Sequence, residues 1–205
     1  PELTGREHIF LNGAILGILG VGKSFLALEL VERMIEAGIK VICLDLTDQY
    51  ARELDSFLDA AAEQQVADEL QNIGPAGKAN VKKNVEEGGS VRQFSAKIKE
   101  QLEAFLEPND SRRLRILNPA QFEVWRQDSK PYQDQASMAT LTPTETTRII
   151  TEAVLEVLHA QGMTDQARCC VVYEEAHSLI PEWNAVASDG DRTATNGTAK
   201  AILQG

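Results

Sequence analysis

Residues Gly17 to Ser24 read GILGVGKS and fit the spacing GxxxxGK[ST]. Gly17, Gly20 and Gly22 free the backbone so that consecutive amides can turn inward on phosphate oxygens, and a helix starting just after them adds its N-terminal dipole. Lys23 would reach the β- and γ-phosphates as a point charge, and the Ser24 hydroxyl would bind Mg²⁺. With Val21 and Phe25, these positions are the expected lining for ATP. A second group lies near the other end of the chain, where VVYEEAH turns from apolar to acidic within one step. Glu174 and Glu175 therefore stand at a strand tip, where one carboxylate can assist a metal ion and the other can orient a water.

Elements to position these groups are legible on both sides of them. HIFL and AIL flank Asn12 and Gly13, a two-residue hairpin signal, and the second run leads straight into the glycine loop. FLALELVERMIEAG follows, with Phe25, Leu28, Val31 and Ile35 near helical spacing and Gly38 where a C-terminal cap belongs. KVICLDLT is a near-continuous apolar run ending in Asp45, as expected of a parallel strand buried on both faces. Residues 51–113 read as a mostly helical insertion into a core formed by 1–50 and 114–205. Within it GPAGKANVKKNVEEGG is turn-rich, while Ser90 and Gln93 form a capping box before the stripe Phe94, Ile98, Leu102 and Phe105.

RLRILNP predicts a strand stopped by Pro119, and the aromatics Phe122, Trp125 and Tyr132 are expected in the core because they bury the most area. TPTETTRIITEAVLEVLHAQG predicts the clearest helix: Thr142 caps it, Pro143 opens it, Glu145 completes a capping box and Gly162 ends it. RCCVVY predicts a buried strand. ASDGDRTATNGT reads as a mobile polar loop, with a helix starting only at TAKAILQG. That helix breaks off at Gly205, so the chain is expected to be a piece of a longer subunit. The predicted class is α/β, with a mainly parallel sheet covered by helices on both faces.

At 205 residues, 43% hydrophobic and 25% charged, the chain can bury one sizeable core. It has no run of 18 apolar residues and no signal-peptide pattern at its start, so a cytoplasmic protein without membrane attachment is expected. The three cysteines, Cys43, Cys169 and Cys170, lie in apolar runs and read as structural thiols of a reducing compartment. The three histidines are scattered and offer no zinc-ligand spacing. A net charge of −11 argues against a surface that binds nucleic acid everywhere, while leaving room for a local basic pore or groove. No NKxD element for reading guanine and no DxxG after a strand is present, which argues against a GTPase switch. A small-molecule phosphotransferase would need an arginine-bearing lid and is the weaker alternative.

Three stretches in order resemble one family. GILGVGKS, VICLDLTDQY and VVYEEAHSLIP are similar to the HerA-like ATPases of the HerA/FtsK group of hexameric motors. Asp45, Asp48 and Tyr50 match the family's acid-aromatic turn after a buried strand, and Glu174, Glu175 and His177 match its acidic box. NGTAKAILQG resembles the helix after that box. The likeness covers residues 8–55 and 168–205. It implies a RecA-like, additional-strand P-loop domain that assembles as a homo-oligomer, a ring of six, with ATP between subunits. It also implies translocation on double-stranded DNA beside a nuclease or other effector, in DNA end processing or antiphage defence. In this family the position of Glu174 carries a magnesium-coordinating Asp and that of Glu175 the water-polarising Glu. Glu174 is one methylene longer than Asp, so its reach to the hydrated ion changes. A ring that binds ATP to assemble and organise an effector, with slow hydrolysis, is the alternative this departure motivates. Such motors need an arginine from a neighbour, for which Arg192 is a candidate.

Overall fold

The computed structural model describes residues 14–15, 22–71, 73, 90–128, 137–162, 169–182 and 188–204. The expected turn at Asn12 and Gly13, the loop residues Gly17, Gly20 and Val21, the turn-rich stretch from Gly74 to Gly89, and Tyr132 lie outside the described residues.

The central strand β1 (Lys40–Leu44) pairs in parallel with β2 (Leu114–Leu117) on one side. On its other side it pairs, also in parallel, with β5 (Cys169–Tyr173). All five residues of β1 are buried, which is why KVICL carries no polar alternation: both of its faces are covered. Alternate side chains part to the two faces. Ile42, Leu44, Leu117, Val171 and Tyr173 enter a large cluster with α3 (Ala60–Gln71), α4 (Val91–Leu106) and α5 (Pro143–Ala160). Val41, Cys43, Leu114, Cys170 and Val172 pack instead on α1 (Lys23–Glu36) and the short α2 (Gln49–Glu53). The α/β fold with helices on both faces is therefore the one the sequence predicts. Residues 122–141 add a separate antiparallel hairpin of β3 (Trp125–Asp128) and β4 (Ser137–Thr140), with Phe122 packed against Phe94 in the main cluster.

Helix ends follow their capping chemistry. The Thr142 hydroxyl accepts from the Glu145 N–H at 3.2 Å and the Glu145 carboxylate accepts from the Thr142 N–H at 2.9 Å, so the predicted box forms. Gly38 and Gly162 adopt positive φ just past α1 and α5, the conformation that lets these helices end.

Several expectations are corrected. Phe25 is not on the buried stripe of α1; it is 76% exposed, and Val31 and Ile35 carry the packing. Ser90 precedes α4 but makes no capping bond with its side chain. Its hydroxyl accepts from the Trp125 N–H at 3.0 Å and so ties the helix start to β3. The polar stretch after Ser188 is helical: α7 (Asp189–Gln204) begins nine positions before Thr198, where the sequence predicts a helix start. Ser188 accepts from the Asp191 N–H at 3.0 Å at its start, and Ala194, Thr195 and Thr198 are buried along it. A Cβ on Gly197 would lie 2.8 Å from the Arg148 Nε, so any larger residue there would require this half-exposed side chain to shift. Strand β5 is half-buried rather than fully buried, since among the described residues only β1 pairs with it. All three cysteines are free thiols, with Cys169 and Cys170 on opposite faces.

Candidate functional site

The register of the parallel sheet brings the chemistry together. Leu44 lies opposite Tyr173, so Asp45 and Glu174 leave β1 and β5 side by side, and the Glu174 N–H donates to the Leu44 carbonyl at 3.0 Å. Asn118 leaves β2 beside them, where the Asp45 N–H donates to the Leu117 carbonyl at 3.1 Å. Ligands of open α/β sheets bind at these C-terminal strand ends.

Asp45 is fully buried and is used up in shaping a turn. Its Oδ1 accepts from both the N–H and the hydroxyl of Thr47 at 2.8 Å, and its Oδ2 accepts from the Tyr50 N–H at 2.8 Å. Asp48, at φ 55, is steadied by the Asn118 side-chain amide, which donates to its Oδ1 at 2.9 Å. The turn aims Tyr50 into the interior, where its side chain is fully buried and its hydroxyl has no hydrogen-bond partner among the described residues. The match of Asp45, Asp48 and Tyr50 to a motif is thus three parts of one hydrogen-bonded turn. Asn118 was not singled out from sequence; its signal is a polar residue between a strand and Pro119.

Glu174 is 8% exposed, and burial pushes its carboxyl above the ordinary glutamate range. The Tyr50 hydroxyl draws it back down, the charges of Glu175 and Asp45 raise it further, and the Ser24 hydroxyl lowers it. Ser24 lies in the first turn of α1, close enough to influence this carboxyl. Gly22 opens that helix at φ 82 with no side-chain cap, a conformation suited to glycine. The first N–H groups of α1 are left for an anion. Lys23 is half-buried at the same helix end.

Glu175 is exposed at φ 46, with a carboxylate oxygen 3.1 Å from His177 Nδ1. It stands at the N-terminal cap position of the one-turn helix α6 (Ala176–Leu179), where its side chain makes no capping bond. Phe25 stands exposed beside Ser24, and Arg192 lies on α7 with Asp189 at 3.4 Å. A cleft of about 830 Å³ between α4, α5 and α7 holds none of the groups at the strand ends. The strand ends are the candidate site because Asp45 and Glu174 leave neighbouring strands there side by side.

The donors fit Mg²⁺. No cluster of three or more His, Cys, Asp or Glu able to hold a metal occurs among the described residues, but Mg²⁺ is held by one or two carboxylates with substrate phosphates and water. Ser24 and Glu174 supply hard oxygen atoms, and the second buried acid beside them, Asp45, gives a cation charge to neutralise.

A family model described as "Helicase HerA, central domain" matches residues 9–161. The match takes in the glycine loop, β1 and the Asp45 turn and stops before β5, so Glu174 and Glu175 rest on the geometry and on their own motif. No curated protein and no solved structure matches the chain.

Proposed function

Because the chain belongs to the HerA central-domain family, whose model spans well over half of it, we propose that it is the motor core of a ring that couples Mg-ATP hydrolysis to movement on double-stranded DNA. It is a P-loop ATPase domain of the HerA/FtsK type, with the α/β fold described above. The observation that supports the reading most is the sheet register that sets Asp45 and Glu174 side by side at the strand ends, with α1 and its uncapped start packed on the same sheet.

In this reading Gly17, Gly20, Val21 and Gly22 cradle the phosphates, Lys23 neutralises the β- and γ-phosphates, and Phe25 lies against the nucleotide. Ser24 and Glu174 hold Mg²⁺, which supplies charge neutralisation on the transferring phosphoryl oxygens. Glu175 accepts a proton from the attacking water, and its pairing with His177 fixes the carboxylate in place. A neighbouring subunit supplies an arginine, for which Arg192 is the candidate. The assembly is a homohexamer in the cytoplasm, working with a nuclease or other effector in DNA end processing or antiphage defence. Among the described residues no helix is long and apolar enough to cross a membrane. Residues 51–113 are an insertion into the motor core, where α3 and α4 complete one side of it.

A second reading, an ATP-clasped ring that organises an effector and turns over slowly, draws support from the same Glu175 and His177 pair. A carboxylate already engaged by an imidazole is a weaker acceptor for a water proton. Steady-state ATP hydrolysis of the complete subunit, with and without linear double-stranded DNA and with the oligomer measured by light scattering, separates the two. Several-fold stimulation in a ring is the motor's expected result. Slow, DNA-indifferent turnover in a ring supports the clasp, and DNA-indifferent turnover in a monomer overturns both.

A further inference from the structure

The cleft of about 830 Å³ between α4, α5 and α7 lies apart from the strand ends and has the size of a small-molecule site, about 300–1,000 Å³. Four of the chain's twenty Lys and Arg line it against three of its thirty-one Asp and Glu, so a chain of net charge −11 keeps this hollow from being acidic. The charges are sorted by wall. Glu145, Glu152 and Asp189 stand on α5 and α7, and each is already engaged: Glu145 accepts from the Thr142 N–H, Glu152 from the Arg148 Nε and Asp189 from Arg192. The α4 wall, made by Val91, Arg92, Ser95, Ala96 and Lys99, carries cations and no acid. The helix begins at this wall with no acidic residue in its first turn and no side-chain capping bond, so the positive end of its dipole is not neutralised there.

Two guanidinium groups in the lining have donors to spare. Arg92 is exposed and makes no hydrogen bond or ion pair among the described residues. The Arg126 Nε is buried 3.4 Å from the Glu145 Oε1, without an aligned hydrogen bond among the described residues. Val91, Leu141 and Ile149 give the lining apolar surface, while Ala96, Gly190 and Ala194 keep it open. We infer that this cleft binds a small organic anion with an apolar body: Arg92 and the start of α4 hold its carboxylate or phosphate group, Arg126 supplies a second guanidinium, and the body lies against Leu141 and Ile149. A guanidinium fork matches either head group, which is why the chemistry covers both. A nucleic-acid backbone fits less well, because its further phosphates would meet the acids of α5 and α7. The inference stands apart from the reading of the strand ends as a nucleotide site.

The test is a fluorescence titration of the complete subunit with 8-anilinonaphthalene-1-sulfonate, an anion on an aromatic body, in saturating Mg-ATP so that the dye is kept out of a nucleotide site. One saturable site is expected. Arg92→Gln should raise its Kd about tenfold, the scale of one hydrogen bond to a charged group. Ala96→Trp, which fills the hollow from the α4 side, should remove the saturable signal. Both positions are exposed, so the melting temperatures stay near the native value. Arg33→Gln on α1, across the sheet from the cleft, should leave the Kd within about twofold. 1-Naphthyl phosphate and 1-naphthoate should each displace the dye, and the stronger of the two identifies the preferred head group. Inorganic phosphate, with no body to bury, should need about tenfold more or greater. Absence of a saturable site, a Kd that Arg92→Gln and Ala96→Trp leave unchanged, or displacement by inorganic phosphate as readily as by 1-naphthyl phosphate overturns the inference.

Discussion

Arg115 on β2 is 1% exposed and its Nε lies 3.0 Å from the Glu63 Oε1 of α3, with its guanidinium carbon 5.4 Å from the Phe105 ring centroid. Burial pulls the Arg115 pKa down and pushes the Glu63 pKa up, so each ion tolerates the interior mainly because the other is there. At 3.0 Å and an effective dielectric of about 20 their attraction is about 5.5 kcal/mol, against several kcal/mol to desolvate each ion. The pair is therefore near break-even as a whole, but either charge alone is costly. Glu63→Ala strands a guanidinium whose Nη2 already lacks an aligned partner among the described residues, and we expect it to cost about 3–5 kcal/mol. At about 2–4 °C per kcal/mol for a chain of this size, the melting temperature falls by roughly 6–20 °C. Arg115→Met leaves Glu63, whose side chain is 18% exposed, free to turn to water or take up a proton, and should cost about half as much or less. The double variant should lie within about 1 kcal/mol of native. Urea unfolding at pH 7, with equal slopes for the four proteins, reads all three values. A Glu63→Ala cost below about 1 kcal/mol, or a double variant no more stable than Glu63→Ala, would refute the reasoning.

Lys23→Ala is expected to abolish tight ATP binding, whereas Glu175→Gln keeps binding and loses about a hundredfold or more in hydrolysis, both measured on the complete subunit. Normal turnover in Glu175→Gln removes the assigned base. Thr142→Ala loses the bond to the Glu145 N–H and the partner of Asp191 on α7, and should cost about 1–2 kcal/mol in urea unfolding. The raised Glu174 pKa means that its protonated form favours the fold, a contribution present below the ordinary glutamate range and lost as pH rises through the folded value. Glu174→Gln without Mg²⁺ should therefore raise the melting temperature at pH 8 and leave it unchanged at pH 4. Equal effects at both pH values would count against a buried, destabilised carboxylate.

The parts of the fold that sequence reveals are those whose cause is local. The capping box at Thr142 and the positive-φ glycines ending α1 and α5 depend only on neighbours in sequence, and β1 declares itself by the unbroken apolar run from Val41 to Leu44. α7 escaped because its opening DGDRTATNG has poor helix propensity, whereas in the structure the helix packs along α5 and buries Ala194, Thr195 and Thr198. β3 and β4 are four residues each, too short for an alternation to register. Ser90 illustrates a pattern that is present without its usual use, because Trp125 competes for the same hydroxyl. At the candidate site, residue type and spacing single out Lys23, Ser24 and Glu174. They do not show that Asp45 and Glu174 stand side by side, since that follows from the register of two strands whose paired residues are about 130 positions apart.

That separation also governs how the chain comes to be folded. β1 is the centre of the sheet, yet Val41 pairs with Leu114 and Lys40 with Cys169, so neither neighbour exists when the ribosome has just finished residue 44. At about 5–20 residues per second, synthesis of the remaining stretch to Tyr173 takes on the order of ten seconds. Throughout it the fully buried central strand has no partner, and the chain must close over long separations in sequence. A nascent chain of this design would depend on chaperones during that interval, and pulse-labelled chains halted before residue 169 should be found bound to them.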